Sequence, residues 1–200
     1  MTVLVVDYSI CNLGSVRRAV ESVGGRAFIS SRAADLEAAE RVILPGVGSF
    51  RQAMENLRRL DLIAPLRKHV EREKPLLGLC LGMQLLFAEG REFGATEGLG
   101  LIPGVVERMQ GKLPVPHVGW NQIAWTREEV ITRCIPSLSY FYFVHSYVCR
   151  PEENQDILGV TEYGQPFTSV IQHGRIWGLQ CHPEKSQQPG LTLLANFLQM

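Results

Sequence analysis

The chain has 200 residues, 46% of them apolar, and its 20 basic and 20 acidic side chains cancel. That length suits one domain over residues 1–200 with a sizeable core, and the charge balance argues against a nucleic-acid or anionic-membrane partner. No apolar run reaches a membrane span, and five scattered cysteines with no C-x-x-C pair argue against a disulfide scaffold and for a reducing, cytoplasmic setting.

Thr2–Val6 reads as a first strand, without the basic lead of a signal peptide. Asn12 is placed to cap a helix that carries Leu13, Val16, Val20 and Val23 at helical spacing and stops at Gly24-Gly25. A strand over Arg26–Ser30, a short helix over Ala33–Ala39 and a strand over Arg41–Leu44 follow. The last runs into the glycine-rich loop Pro45-Gly-Val-Gly-Ser-Phe50. Ser49 caps a helix with Met54, Leu57 and Leu60, and a further helix spans about Leu62–Arg72. Alternating strands and helices predict a parallel sheet covered on both faces, a three-layer, flavodoxin-like α/β architecture.

Residues 76–87 are the densest signal. Leu76–Leu79 reads as a buried parallel strand, and Leu81, Met83, Leu85, Leu86 and Phe87 begin a helix-like pattern. Between them, Cys80 is flanked two residues away by Gly78 and Gly82. This is the Gly-x-nucleophile-x-Gly spacing of a sharp strand-to-helix turn, with sulfur in place of a hydroxyl. A thiol at a helix N-terminus is favoured as thiolate. Taken alone, the same stretch also describes a small buried cysteine between two packing glycines.

The second half is strand-rich. Gly104–Met109, Gln122–Trp125, Tyr140–Val144, Ile157–Thr161 and Thr168–Gln172 read as an antiparallel extension of the sheet. Arg175–Leu179 is expected to return to the parallel core before a final helix over Gly190–Leu198. In open α/β sheets ligands bind beyond the carboxyl ends of the strands. Residues 7–12, 45–50, 80–84 and 181–186 all follow such ends.

A cysteine nucleophile needs a base and a group that orients the base. His182-Pro183-Glu184 supplies both, provided an extended segment points the two side chains the same way. An acyl-transfer site also needs donors for the oxyanion. The Leu81 N–H and the backbone of Pro45–Gly48 are suited to this. The loop lacks the Lys-Ser/Thr tail of a phosphate-binding P-loop. His145, Ser146 and Tyr147 end the aromatic strand where substrate contacts are expected, and no histidine or cysteine pair has the spacing of a metal site. No metal and no cofactor is expected.

The segments PGVGSF (45–50), GLCLGMQLLF (78–87) and CHPEKS (181–186) together resemble the class I, triad-type glutamine amidotransferases. Within that class, DYSICNLGSV (7–16), VPHVGWN (115–121) and FVHSY (143–147) resemble the glutaminase subunits of imidazole glycerol phosphate synthase, of histidine biosynthesis. The resemblance implies a triad of Cys80, His182 and Glu184, and an oxyanion hole at Val47, Gly48 and Leu81. It implies a glutamine pocket bordered by Gly46, Gln84, Glu92, His145, Ser146 and Tyr147. It further implies a face toward a cyclase subunit, a (β/α)8 barrel that receives the ammonia, formed by Asn12, Pro116, His117, Val118, Gly119, Trp120 and Lys185. Ser9 and Cys11 stand where the family commonly has glycines, and Cys181 where it often has an aromatic residue. The competing expectations are a glutaminase subunit serving another acceptor, a non-glutaminase cysteine hydrolase of related fold, and a regulatory relative without activity.

Overall fold

In the computed structural model, which describes residues 1–200, the first half is a strict alternation. It runs β1 (Thr2–Val6), α1 (Leu13–Ser22), β2 (Arg26–Ser30), α2 (Ala33–Ala38), β3 (Val42–Leu44), α3 (Phe50–Arg59), α4 (Ile63–Glu71), β4 (Leu76–Leu79) and α5 (Leu81–Leu85). The second half consists of β5 (Phe87–Gly90), β6 (Thr96–Glu97), β7 (Ile102–Arg108), β8 (His117–Trp125), β9 (Ser139–His145), β10 (Tyr147–Pro151), β11 (Ile157–Glu162), β12 (Pro166–His173), β13 (Ile176–Leu179) and α6 (Gln187–Leu198). The sheet is ordered β2-β1-β3-β4-β13-β12-β10-β7-β5-β6, and a branch from β12 leads through β11 and β8 to β9. The five strands from β2 to β13 are parallel. The rest pair antiparallel except β5 with β7.

The period-2 alternation of β1 splits its apolar residues between the two faces. Val3 and Val5 pack with Val16 and Val20 of α1 and Leu194 and Phe197 of α6. Leu4 and Val6 pack with Leu36, Met54, Leu57 and Leu66 of α2 to α4. Two apolar layers therefore sandwich the parallel strands, as the alternating pattern predicts. No helix is long and apolar enough to cross a membrane.

Some expectations need correction. The helix after Cys80 is only five residues long, and Phe87 begins a strand. The carbonyls of Leu85, Leu86 and Phe87 are taken by the N–H groups of Leu99, Leu101, Ile102 and Gly100, so tertiary pairing overrides the helical pattern. β5, β6 and β10 are strands that the sequence reading lacks. β10 is hidden because the run from Tyr140 continues to Pro151 with no turn signal, although Ser146 breaks it in two. α6 starts at Gln187 rather than Gly190.

Candidate active site

The strand register brings the chemistry together. β4 and β13 lie side by side and parallel with Leu79 opposite Leu179, so Cys80 and the segment leading to His182 leave the sheet at the same edge. On the other side of β4, Leu44 is opposite Gly78, which delivers the glycine-rich loop to the same place.

The elbow is built from backbone contacts. Cys80 has φ 52° and ψ −109°, a conformation costly for a side-chain-bearing residue. Its N–H donates to Leu179 O at 2.7 Å. A Cβ on Gly82 would run into the Leu44 carbonyl, and one on Gly78 would lie 2.7 Å from Gly82 O and Met83 N. A Cβ on Gly46 would collide with the Tyr8 hydroxyl and press on Leu81. Only hydrogen fits at these positions. The turn holds the sulfur at the N-terminus of α5 with 6% of the residue exposed.

The histidine side is built from hydrogen bonds. His182 Nδ1 lies 2.8 Å from Glu184 Oε1 with both side chains buried. Pro183–Lys185 is a 3-10 turn, which corrects the extended geometry expected of this segment, yet the turn still brings carboxylate to imidazole. His182 N–H donates to Tyr142 O, Tyr142 N–H donates to Ser186 Oγ at 3.0 Å, and the Ser186 hydroxyl donates to His182 O at 2.6 Å. His182 Nε2 is buried with no hydrogen-bond partner. Burial alone would lower the pKa of the ring, but hydrogen bonding and charge from Cys80 and Glu184 outweigh it and raise it to about 10. The direction of this shift favours the protonated imidazole.

A cavity of about 340 Å³ opens on this pair. Among the expected pocket and oxyanion residues, Val47, Gly48, Leu81, Gln84, Glu92, His145, Ser146 and Tyr147 all line it. Gly46 is buried behind it, against Leu81. Larger hollows of about 880 and 540 Å³ lie along Trp125–Ser137 and between Thr2 and Glu40, away from Cys80 and His182. The Leu81 and Gly48 N–H groups donate to no protein acceptor. The Val47 N–H instead donates to Ile10 O at 3.1 Å, so it is committed away from the sulfur. Tyr8 Oη and Cys11 Sγ both donate to Pro45 O, at 2.6 and 3.5 Å, and fix the start of this loop. Glu92 Oε2 accepts from Phe50 N at 2.7 Å, at the N-terminus of α3.

His145 does not stand alone. Its Nδ1 donates to Tyr147 O at 2.9 Å and its Nε2 lies 3.0 Å from His117 Nδ1. Asn121 Nδ2 donates to His117 Nε2 at 3.3 Å and to Glu162 O. These partners allow one consistent tautomer for each ring, both neutral. Burial lowers the pKa of His145 to about 3 and lowers that of His117 as well.

His117 is thus not a surface residue as expected. Strand alternation turns it into the core, stacked between Phe143 and Tyr163, while Val118 and Trp120 point outward. Asn12 is exposed and its side chain accepts from Ser15 N. Lys185 is exposed, with Nζ 5.4 Å from the Tyr142 ring centre. Pro116 is exposed and also lines the cavity, and Gly119 is half-buried between Val118 and Trp120. The sequence reading passes over Ser186 and Gln180, both fully buried, although each adjoins the His182 motif.

Comparison with known proteins gives the family of the chain. The family "Glutamine amidotransferase class-I" matches residues 5–200. The imidazole glycerol phosphate synthase subunit HisH of Moorella thermoacetica is 45% identical over 195 residues, covering 98% of this chain and 93% of the relative. That of Aquifex aeolicus is 42% identical, covering 98% and 96%. Among solved structures, PurLQS from Thermotoga maritima superposes with a TM-score of 0.80 at 18% identity over 99% of this chain and 97% of the other, a likeness of fold.

Proposed function

The chain belongs to the class-I glutamine amidotransferases and serves as the glutaminase subunit of imidazole glycerol phosphate synthase, and from that premise we propose that it frees ammonia from glutamine through a thioester on Cys80. The sulfur attacks the side-chain amide carbon of glutamine. His182, holding the proton, gives it to the departing ammonia, then takes a proton from the water that hydrolyses the thioester. Glu184 keeps the ring oriented and stabilises its cation. The observation that carries this reading is a buried imidazole bonded on Nδ1 to a buried carboxylate, its Nε2 unpaired, lining one cavity with the cysteine of a strained elbow.

The oxyanion of each tetrahedral intermediate is met by the Leu81 N–H and by the loop at Val47 and Gly48. Both Leu81 and Gly48 have N–H groups free to donate. Val47 contributes only after the Gly46–Val47 peptide turns its N–H away from Ile10. Such a turn, driven by the partner and its ligand, would keep glutamine from being spent when no acceptor is waiting. Gln84, Glu92, Ser146 and Tyr147 border the substrate in the cavity. The partner is the cyclase subunit, a (β/α)8 barrel, which takes the ammonia. It covers the exposed face carrying Val118 and Trp120 of β8 and Tyr140 and Val144 of β9, together with Asn12 and Lys185.

The test is glutamate release by the chain alone and with the cyclase carrying a nucleotide ligand, beside Cys80→Ala. The expected result is strong release only in the wild-type mixture, none with Cys80→Ala, and unimpaired ammonia-dependent synthesis by the Cys80→Ala complex. Glutamate release that survives Cys80→Ala would refute the thioester, and equal rates with and without cyclase would refute the loop rotation.

A further inference from the structure

The Cys80 sulfur has a polar side-chain neighbour unused in the chemistry above. Gln180 is fully buried and its Nε2 lies 3.7 Å from Cys80 Sγ. A carboxamide can present either end, so its orientation must be fixed by its other contacts. Gln84 fixes it. The Gln84 Nε2 stands 3.3 Å from Tyr147 O, which can only accept, and 3.0 Å from Gln180 Oε1. With the Gln180 oxygen occupied by the Gln84 donor, the Gln180 N–H is the end that faces sulfur. Tyr147 O is itself held by His145 Nδ1, whose tautomer is set by His117. The sulfur thus meets an N–H donor from Gln180, the Val144 carbonyl at 3.9 Å as acceptor for a thiol proton, and His182.

We infer that Gln180 is a positioning residue for the nucleophile, its locked carboxamide N–H donating to the Cys80 sulfur and favouring the thiolate. The inference rests on Cys80 being the nucleophile. A neutral donor placed on an anionic sulfur stabilises it without adding a competing charge, and Gln180 itself is fully buried. Gln84, expected only at the substrate pocket, has a second task here, since its nitrogen sets which end of Gln180 faces the sulfur.

The test is the rate at which iodoacetamide alkylates Cys80 in the full chain from pH 5 to 9, followed by mass spectrometry of the Cys80 peptide. Gln180→Met keeps the length and removes the donor. It is expected to slow alkylation at pH 7 about tenfold and to move the midpoint of the profile up by about one pH unit. Gln180→Glu keeps an oxygen for Gln84 but puts a carboxylate beside the sulfur, and is expected to move the profile further in the same direction. A profile for Gln180→Met that overlays the wild type would overturn the inference. If Gln180→Met does not fold, as judged by circular dichroism, the same criterion applies to Gln180→Glu. A residue that merely fills space would change the melting temperature and leave the profile in place. The assay uses no glutamine, so failure of wild-type glutamate release would sink the thioester reading and leave this measurement standing. Normal release with an unshifted profile would sink the role of Gln180 alone.

Discussion

The two halves of the site are held by opposite means. On the Cys80 side, strand and helix backbones touch, and Gly78 and Gly82 leave no room for a side chain. On the His182 side close backbone contact is confined to Gly190 of α6, where a Cβ would meet the Pro183 carbonyl, and the imidazole itself is held by hydrogen bonds. A cycle of three hydrogen bonds through Tyr142 and Ser186 ties the loop to β9, and Glu184 completes it. A nucleophile in a strained turn has to be fixed by contact, because a strained conformation relaxes wherever its surroundings yield. An imidazole that exchanges protons needs a fixed orientation, which directional bonds supply.

The sharpest way to break this contrast is Gly82→Ala. Its Cβ meets the Leu44 backbone carbonyl, which cannot move without displacing β3. The expected cost is about 3 kcal/mol or more in urea unfolding, with loss of glutamate release. A cost below about 1 kcal/mol would mean that the strands yield, and the steric account of the elbow would fail.

Ser186→Ala probes the other side. It leaves the Tyr142 N–H without its acceptor and the His182 carbonyl with the Lys185 N–H alone. The expected cost is about 2 kcal/mol. Turnover should fall while KM changes little, because the loosened group acts on the proton rather than on substrate binding. If this variant loses as much stability as Gly82→Ala, the two sides do not differ in kind.

The same contrast explains what is legible in the sequence. Steric demands leave a mark in composition: the flanking glycines at 78 and 82 and the loop glycines at 46 and 48 stand out in the chain itself. The parallel order of β1 to β4 follows from alternating patterns, and β13 is expected beside them because its end carries the His-Pro-Glu motif. Hydrogen-bonded demands leave a weaker mark. Ser186 and Gln180 are common polar residues, and nothing local says that each has a hydrogen-bond partner more than forty positions away. His117 reads as a surface residue because it shares a motif with Trp120. The alternation of β8 decides that one faces the core and the other does not. The early end of α5 is not legible either, since the pairing that ends it comes from residues 99–102.

The neutral pair His145–His117 also sets an acid limit for the protein. In the unfolded chain each imidazole takes up a proton near its ordinary pKa of 6.5, whereas the folded site resists until far lower, about 3 for His145. Between these values the unfolded state binds more protons, so stability falls as pH falls through 6.5 toward 3. The slope is about 1.4 kcal/mol per pH unit for each fully resistant ring. His182, raised to about 10, works in the opposite direction, but its contribution fades as the unfolded ring also protonates below 6.5. Urea midpoints measured from pH 6.5 to 5 should therefore drop steadily, and His145→Gln should flatten the drop. An unchanged slope would assign the loss to other groups. The same pair that fixes the pocket wall at neutral pH makes mild acid the condition under which that wall first becomes costly to keep.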